Sequence, residues 1–192
     1  MKLSKTWKTL TRDQKKAWRN WAKNNQVVLD FGERRRVSGH KAFTIVLNNR
    51  AIAGDAANPT VLPAPTVWLD GALTTADAGP FTENAGFIGF LATQNIVAPT
   101  KWFVWATIPL GESVVNARSQ LRFVTCLALG AVAANDAVGI NAQYLAVNGS
   151  WDGPGVDGDW PTPTYVWFRV HQYADGQLSP GVLSRGRIAV QL

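Results

Sequence analysis

The chain reads as a mainly β protein with a small helical module at its N-terminus. Three observations predict this. Residues 1–54 hold thirteen Lys and Arg against three acids, a net of +10, whereas residues 55–192 hold six against ten, a net of −4. Apolar residues recur at helical spacing in the first part and in short β-branched and aromatic runs in the second. Clusters of Gly, Pro, Asn and Asp punctuate that second part, as turns punctuate an antiparallel sandwich. The predicted organisation is a basic helical module or arm over 1–54, an Ala/Pro/Asn-rich linker over 55–65 and a β-sandwich over 66–192.

The first helix is set by Thr11-Arg12-Asp13-Gln14, which matches a capping box. The helix runs to about Lys23, with Ala17, Trp18, Trp21 and Ala22 on one face, and Asn24-Asn25 stop it. Gln26 to Asp30 and Glu33 to Val37 read as two short strands around a Phe31-Gly32 turn. Ser38 caps a second helix carrying Ala42, Phe43, Val46 and Leu47, which Gly54 ends. After the linker, strands are predicted at Thr66–Leu69, Gly86–Thr93, Lys101–Thr107, Arg118–Leu129, Gly139–Val147, Tyr165–Tyr173 and Gly186–Gln191. Trp102/Val104 and Phe103/Trp105 place apolar groups on both faces of one strand, so it is covered on both sides. Trp167/Arg169/His171 alternate with Val166/Phe168/Val170, which leaves one face there partly exposed.

A hydrophobic content of 46% with 17% charge fits a folded chain. The start lacks the apolar stretch of a secretory signal, and no run of 18 apolar residues is present, so no membrane partner is expected. Cys126, the single cysteine, reads as a small buried hydrophobe.

Catalysis finds no support. His40 and His171 are the only histidines, and no nucleophile elbow, H-E-x-x-H, Walker A or G-x-G-x-x-G motif is present. Asp152, Asp157 and Asp159 in the irregular stretch 147–163 offer oxygens, but they lack the EF-hand spacing and its terminal Glu. No metal, cofactor or enzymatic activity is expected. Trp151 and Trp160 in the same stretch suit a neighbouring subunit, or a stacking platform for sugar.

The basic module carries the strongest signal. Lys5, Lys8, Arg12, Lys15, Lys16, Arg19, Lys23, Arg34, Arg35 and Arg36 suit a polyanion, because phosphate contacts need long cations and a merely solvated face mixes signs. Trp7, Trp18, Trp21 and Phe43, with Trp151 and Trp160, are the expected packing or interface anchors.

Trp7-x-x-Leu10-Thr11-x-x-Gln14-x-x-x-Trp18-x-x-Trp21-Ala22, then Gly32, then Ser38-Gly39-x-x-Ala42-Phe43-x-x-x-x-Asn48, resembles a family of uncharacterised phage-related and environmental bacterial proteins. Ala106-Thr107-x-Pro109, Gly111, Arg122, Tyr144, Val166-x-Phe168-x-Val170 and Gly176-x-x-Ser179-Pro180 are similar to that family's fibronectin-III-like end. Lys15 replaces the usual Arg, and the Trp151–Trp160 stretch looks like an insertion. The resemblance implies a fibronectin-III- or Ig-like sandwich, with a jelly roll as the alternative, and a virus-like context, and transfers no catalytic residue. A shorter likeness, in swapped order, links the W-x-x-L-T-x-x-x-K-x-x-W helix and the run S-G-H-K-A-F-T-I-V-L-N-N-R, Ser38 to Arg50, to HMG-box proteins.

The expected function is therefore that of a non-enzymatic structural protein of a phage particle, a capsid or capsid-decorating subunit. It would be assembled in the host cytoplasm and located in the virion. Its partners would be further copies of itself, other virion proteins and packaged nucleic acid. The alternatives are a DNA-binding accessory protein with a β-sandwich docking domain, or a carbohydrate-binding adhesion module.

Overall fold

The computed structural model describes residues 3–29, 33–66, 68, 89–91, 100–111, 113–129, 132–133, 137–148 and 164–188. It has a small helical N-terminal part and a multistranded antiparallel sheet. Two compact units emerge: Met1–Trp68 with Gln172–Gly181, and Leu69–His171 with Val182–Leu192.

The first unit begins with α1 (Leu3–Thr9), which the sequence did not announce. Helix α2 (Arg12–Asn24) follows with the expected capping box, Gln14 N–H to Thr11 Oγ1 at 3.2 Å and Thr11 N–H to Gln14 Oε1 at 2.9 Å. Strands β1 (Val27–Val28) and β2 (Arg34–Arg35) pair antiparallel, as the two short runs predict. Helix α3 (Gly39–Ile52) starts at Ser38, whose Oγ accepts from Lys41 N–H.

Leu10, Trp18, Phe43, Val46 and Leu47 form the core between these helices. Trp18 and Phe43 meet edge-on with ring centroids 5.4 Å apart. Gly39 lets the helices touch: a β-carbon there would lie 2.8 Å from the Arg19 backbone.

Residues 55–65 are not a free linker. Ala57 and Leu62 pack on the helical core, Pro63 is buried, and the Pro59 carbonyl accepts the Trp18 indole N–H at 3.0 Å. The buried indole needs an acceptor, and the irregular chain supplies one.

The first unit also takes in the tip of a hairpin more than a hundred residues away in sequence. Strand β8 (Thr164–Ala174) turns back through Asp175 (φ 47°) and Gly176 (φ 82°) into β9 (Gln177–Leu178). Successive positive φ values at Asp-Gly are what a two-residue hairpin needs.

In the second unit the principal sheet has the order β10–β8–β4–β6, where β4 is Thr100–Ala106, β6 Arg122–Leu129 and β10 Val182–Ile188. A short β5 (Leu110–Gly111) pairs with β8, and β3 (Gly89–Leu91) pairs with β7 (Ala137–Gly139) in a separate ribbon. Trp102, Val104, Ala106, Val124, Val166, Phe168 and Val170 fill one face, together with Val138, Ile140 and Tyr144.

Several predicted elements change. Gly139–Val147 is not a strand: β7 ends at Gly139 and α4 (Asn141–Asn148) follows. Ala142, Gln143, Leu145 and Ala146 favour helix, and burial falls on Ile140 and Tyr144, four residues apart rather than alternating. Arg118–Gln120 is a 3-10 turn, with Asn116 Oδ1 accepting the Arg118 N–H, so β6 starts only at Arg122. Thr66 and Trp68 are irregular, and β10 begins at Val182 rather than at Gly186. Strand is described only at Gly89–Leu91 of the predicted Gly86–Thr93. Cys126 is half-buried.

His171 does not point to solvent. It is 1% exposed, with its ring 5.0 Å from that of Trp105, and Arg169 is 2% exposed. Phe103 on the same strand as Trp105 is also buried, so the second face of the sheet is covered too. The Phe31-Gly32 turn, Trp151, Trp160, Asp152, Asp157 and Asp159 lie outside the described residues.

Candidate polyanion interface

Helix α2 sorts its charges by rotation. Trp18 and Ala22 face the core, with Gln14, Lys15, Ala17 and Trp21 half-buried beside them. Arg12, Lys16, Arg19 and Lys23 follow at i, i+4, i+7 and i+11, and all four are exposed. At 100° per residue they fall within about 60° of arc, a single stripe about 16 Å long. Like charges this close destabilise a helix by a few tenths of a kcal/mol per pair, so stability does not select them. Asp13 lies well round the helix from the stripe.

Among the described residues, none of Arg12, Lys16, Arg19 and Lys23 forms an ion pair. Lys5 and Lys8 are exposed on α1, three residues apart on one face. Lys15 turns away from the stripe and donates from Nζ to the Lys8 carbonyl at 3.1 Å. It therefore closes the end of α1 and is tied up structurally. Arg34, Arg35 and Arg36 are exposed, and Arg35 pairs with Glu33 at 2.7 Å on the surface.

The C-terminal end of the stripe opens on a cavity of about 450 Å³ lined by Trp7, Arg19, Lys23, Val37, Ser38, Gly39 and His40. The close approach at Gly39 brings the first turn of α3 beside Arg19, so helix amides and two cations border one space. Trp7 and His40 stand with ring centroids 5.1 Å apart, tilted by 43°. Cations beside aromatic faces are the ingredients of a sequence-tolerant nucleic-acid groove.

The expected anchors divide. Trp18 and Phe43 are interior and hold the helices together. Trp7 and Trp21 are half-buried, and Trp7 also packs edge-on against Phe43 with centroids 5.1 Å apart. Trp7 is thus the anchor that reaches the cavity.

A second cavity in this unit, of about 360 Å³, is lined by amides from Asn24, Asn25, Gln26, Asn49 and Gln177, with Arg34 at its edge. Among the described residues its lining carries one cation, Arg34, and one hydroxyl, Thr66.

Nothing in the sequence announces the role of Arg50. It is 2% exposed and donates from Nε and Nη2 to Asp175 Oδ1 at 3.0 and 2.6 Å, and from Nη1 to Val61 O at 2.8 Å. Asp175 Oδ2 accepts Ala64 N–H, Asn49 Nδ2 donates to Gly176 O, and Gln177 Nε2 donates to Ala64 O and Thr66 Oγ1. Tyr173 donates to Asp55. Burial first, then that hydrogen bond and the Asp55 charge, raise the Tyr173 pKa. These contacts hold α3, residues 55–66 and the hairpin tip as one body, which carries the stripe.

No family model, curated protein or solved structure matches the chain. No helix among the described residues is long and apolar enough to cross a membrane.

Proposed function

We propose that the first unit binds nucleic acid through its phosphate backbone, without reading bases, as the basic face of a non-enzymatic structural protein of a phage or similar nucleoprotein particle. The observation that carries this is the stripe of Arg12, Lys16, Arg19 and Lys23, none of which forms an ion pair among the described residues. Its length of about 16 Å matches roughly five nucleotides along one strand of a B-form duplex. The cavity at its end adds Trp7 and His40 as stacking surface. The opposite net charge of residues 55–192 supports a second part that faces protein rather than phosphate. A sheet buried on both faces supports a sandwich, fibronectin-III-like or jelly-roll, as the part that meets other copies.

The test uses the full chain and fluorescent oligonucleotides of unrelated sequence. Four phosphate contacts predict a log–log salt slope containing about 3 to 4 units from the stripe, or about a hundredfold loss between 50 and 200 mM salt. Replacing Arg12, Lys16, Arg19 and Lys23 by Gln should remove that part of the slope equally for every sequence. An unchanged slope would sink the proposal. Light scattering and negative-stain microscopy, with and without nucleic acid, test the particle reading. A monomer or dimer under all conditions would exclude self-assembly.

A further inference from the structure

The stripe on α2 runs into the cavity at its C-terminal end. Its last two cations, Arg19 and Lys23, line that space of about 450 Å³ together with Trp7 and His40. They stand at i and i+4, one turn apart on the same face of the helix. The close packing at Gly39 holds this part of α2 against the start of α3, which brings His40 to the same wall. Trp7 reaches the space from α1, braced edge-on against the buried Phe43.

The lining joins two cations and two aromatic rings to Val37, Ser38 and Gly39. Among the described residues it includes no carboxylate and no side-chain amide. Such a wall attracts phosphate and takes the flat face of a base, and it lacks the paired donors and acceptors that tell one base from another. The Trp7 and His40 centroids, 5.1 Å apart, leave no room for a base between the rings, which needs about 7 Å, two van der Waals layers. A base therefore lies on one ring face, and Trp7 offers the larger. A duplex cannot supply that base without breaking a pair, because its bases are stacked inside and only its backbone meets the stripe. A single strand has bases free to splay out and stack.

We propose, on the basis of the phosphate-binding reading, that this cavity receives an unpaired nucleobase from the strand held by the stripe, so that the first unit prefers single-stranded nucleic acid to duplex. Charge alone favours the opposite order. Each phosphate contact on a duplex releases about 0.9 of a counterion, against about 0.7 on a single strand. A preference for the single strand is therefore the signature of the stacked base.

The experiment measures binding of the full chain to a fluorescent single strand without secondary structure and to its blunt duplex, at about 50 and about 200 mM salt. The single strand should bind about tenfold tighter than the duplex. Trp7→Leu should remove that advantage while the duplex affinity and its salt slope stay unchanged, which also shows that the unit remains folded. His40→Ala, at an exposed position, should remove part of it. A single strand carrying 5-iodouracil should photocrosslink to Trp7 or His40, located by peptide mapping. Duplex binding as tight as single-strand binding, adducts on other residues, or equal losses for both probes in Trp7→Leu and His40→Ala would overturn the stacked base. The phosphate-binding reading would survive those results if the salt slope still depends on the stripe. Binding to neither probe would overturn both.

Discussion

Replacing Arg50 by Met should open the first unit while leaving the stripe in place. Met keeps much of the aliphatic stem and removes every donor. Breaking a buried ion pair from one side costs about 3–5 kcal/mol. The partner Asp175 keeps 41% of its side-chain surface exposed, so water recovers part of that loss. Ala64 N–H still holds Asp175 Oδ2, while the Val61 carbonyl loses its donor at a further cost of about 1 kcal/mol. The net expectation is a loss of about 2–4 kcal/mol. Amide hydrogen exchange in Gly39–Ile52 reports the opening of this unit by itself. It should accelerate about 30- to 700-fold, at tenfold per 1.4 kcal/mol. Asp175→Asn keeps one acceptor and should cost less, and the two changes together should cost less than the sum of each alone. A loss below about 1 kcal/mol, or strict additivity, would refute Arg50 as the tie between α3, residues 55–66 and the hairpin tip.

Further outcomes follow from the same contacts. Residues 1–68 expressed alone lack Asp175, Gly176 and Gln177, and should show little protected helix by circular dichroism and exchange. A stable, cooperatively unfolding fragment would contradict the clamp. Thr11→Ala removes the side-chain oxygen of the capping box and should cost about 1 kcal/mol of protection in α2, with Thr11→Ser restoring it. Gly176→Ala combines φ 82° with a β-carbon 2.6 Å from Val46 Cγ1, whereas Gly54→Ala has φ 72° and open space around it. The first should cost about 2 kcal/mol or more and the second about 1 kcal/mol, so equal losses in urea melts would deny the packing role of Gly176. Tyr144 and Tyr173 have pKa values raised above the ordinary 10.0, chiefly by burial. Native tyrosines stay protonated while unfolded ones ionise, so stability should be flat up to about pH 9 and fall above about pH 10. Denaturation midpoints between pH 8 and 11 check this, and Tyr144→Phe/Tyr173→Phe should flatten the decline.

Local chemistry made much of the first unit legible. Thr11 and Gln14 define a helix start because a capping box is a contact between residues three apart. Ser38 defines another for the same reason, and the Val27–Val28 and Arg34–Arg35 pairing spans only a few residues. The stripe was present as a list of cations. Helix periodicity then separates Arg12, Lys16, Arg19 and Lys23 from Lys15, which a charge count cannot do.

By itself, the sequence determined the helical N-terminal part, its caps, its excess of positive charge and the antiparallel strands around Trp102 and Phe168. Each rests on residues close together along the chain. Tertiary structure decided what depends on residues far apart. It turned 55–65 from a linker into packing for Trp18, and joined Arg50 to Asp175 across 125 positions. It folded Asn141–Asn148 into a helix, where Tyr144 reaches the Thr107 carbonyl. It also buried His171 and Arg169 on a sheet face that alternation alone left partly exposed. Alternation shows that a strand has two faces, but only the packed chain determines what covers the second one.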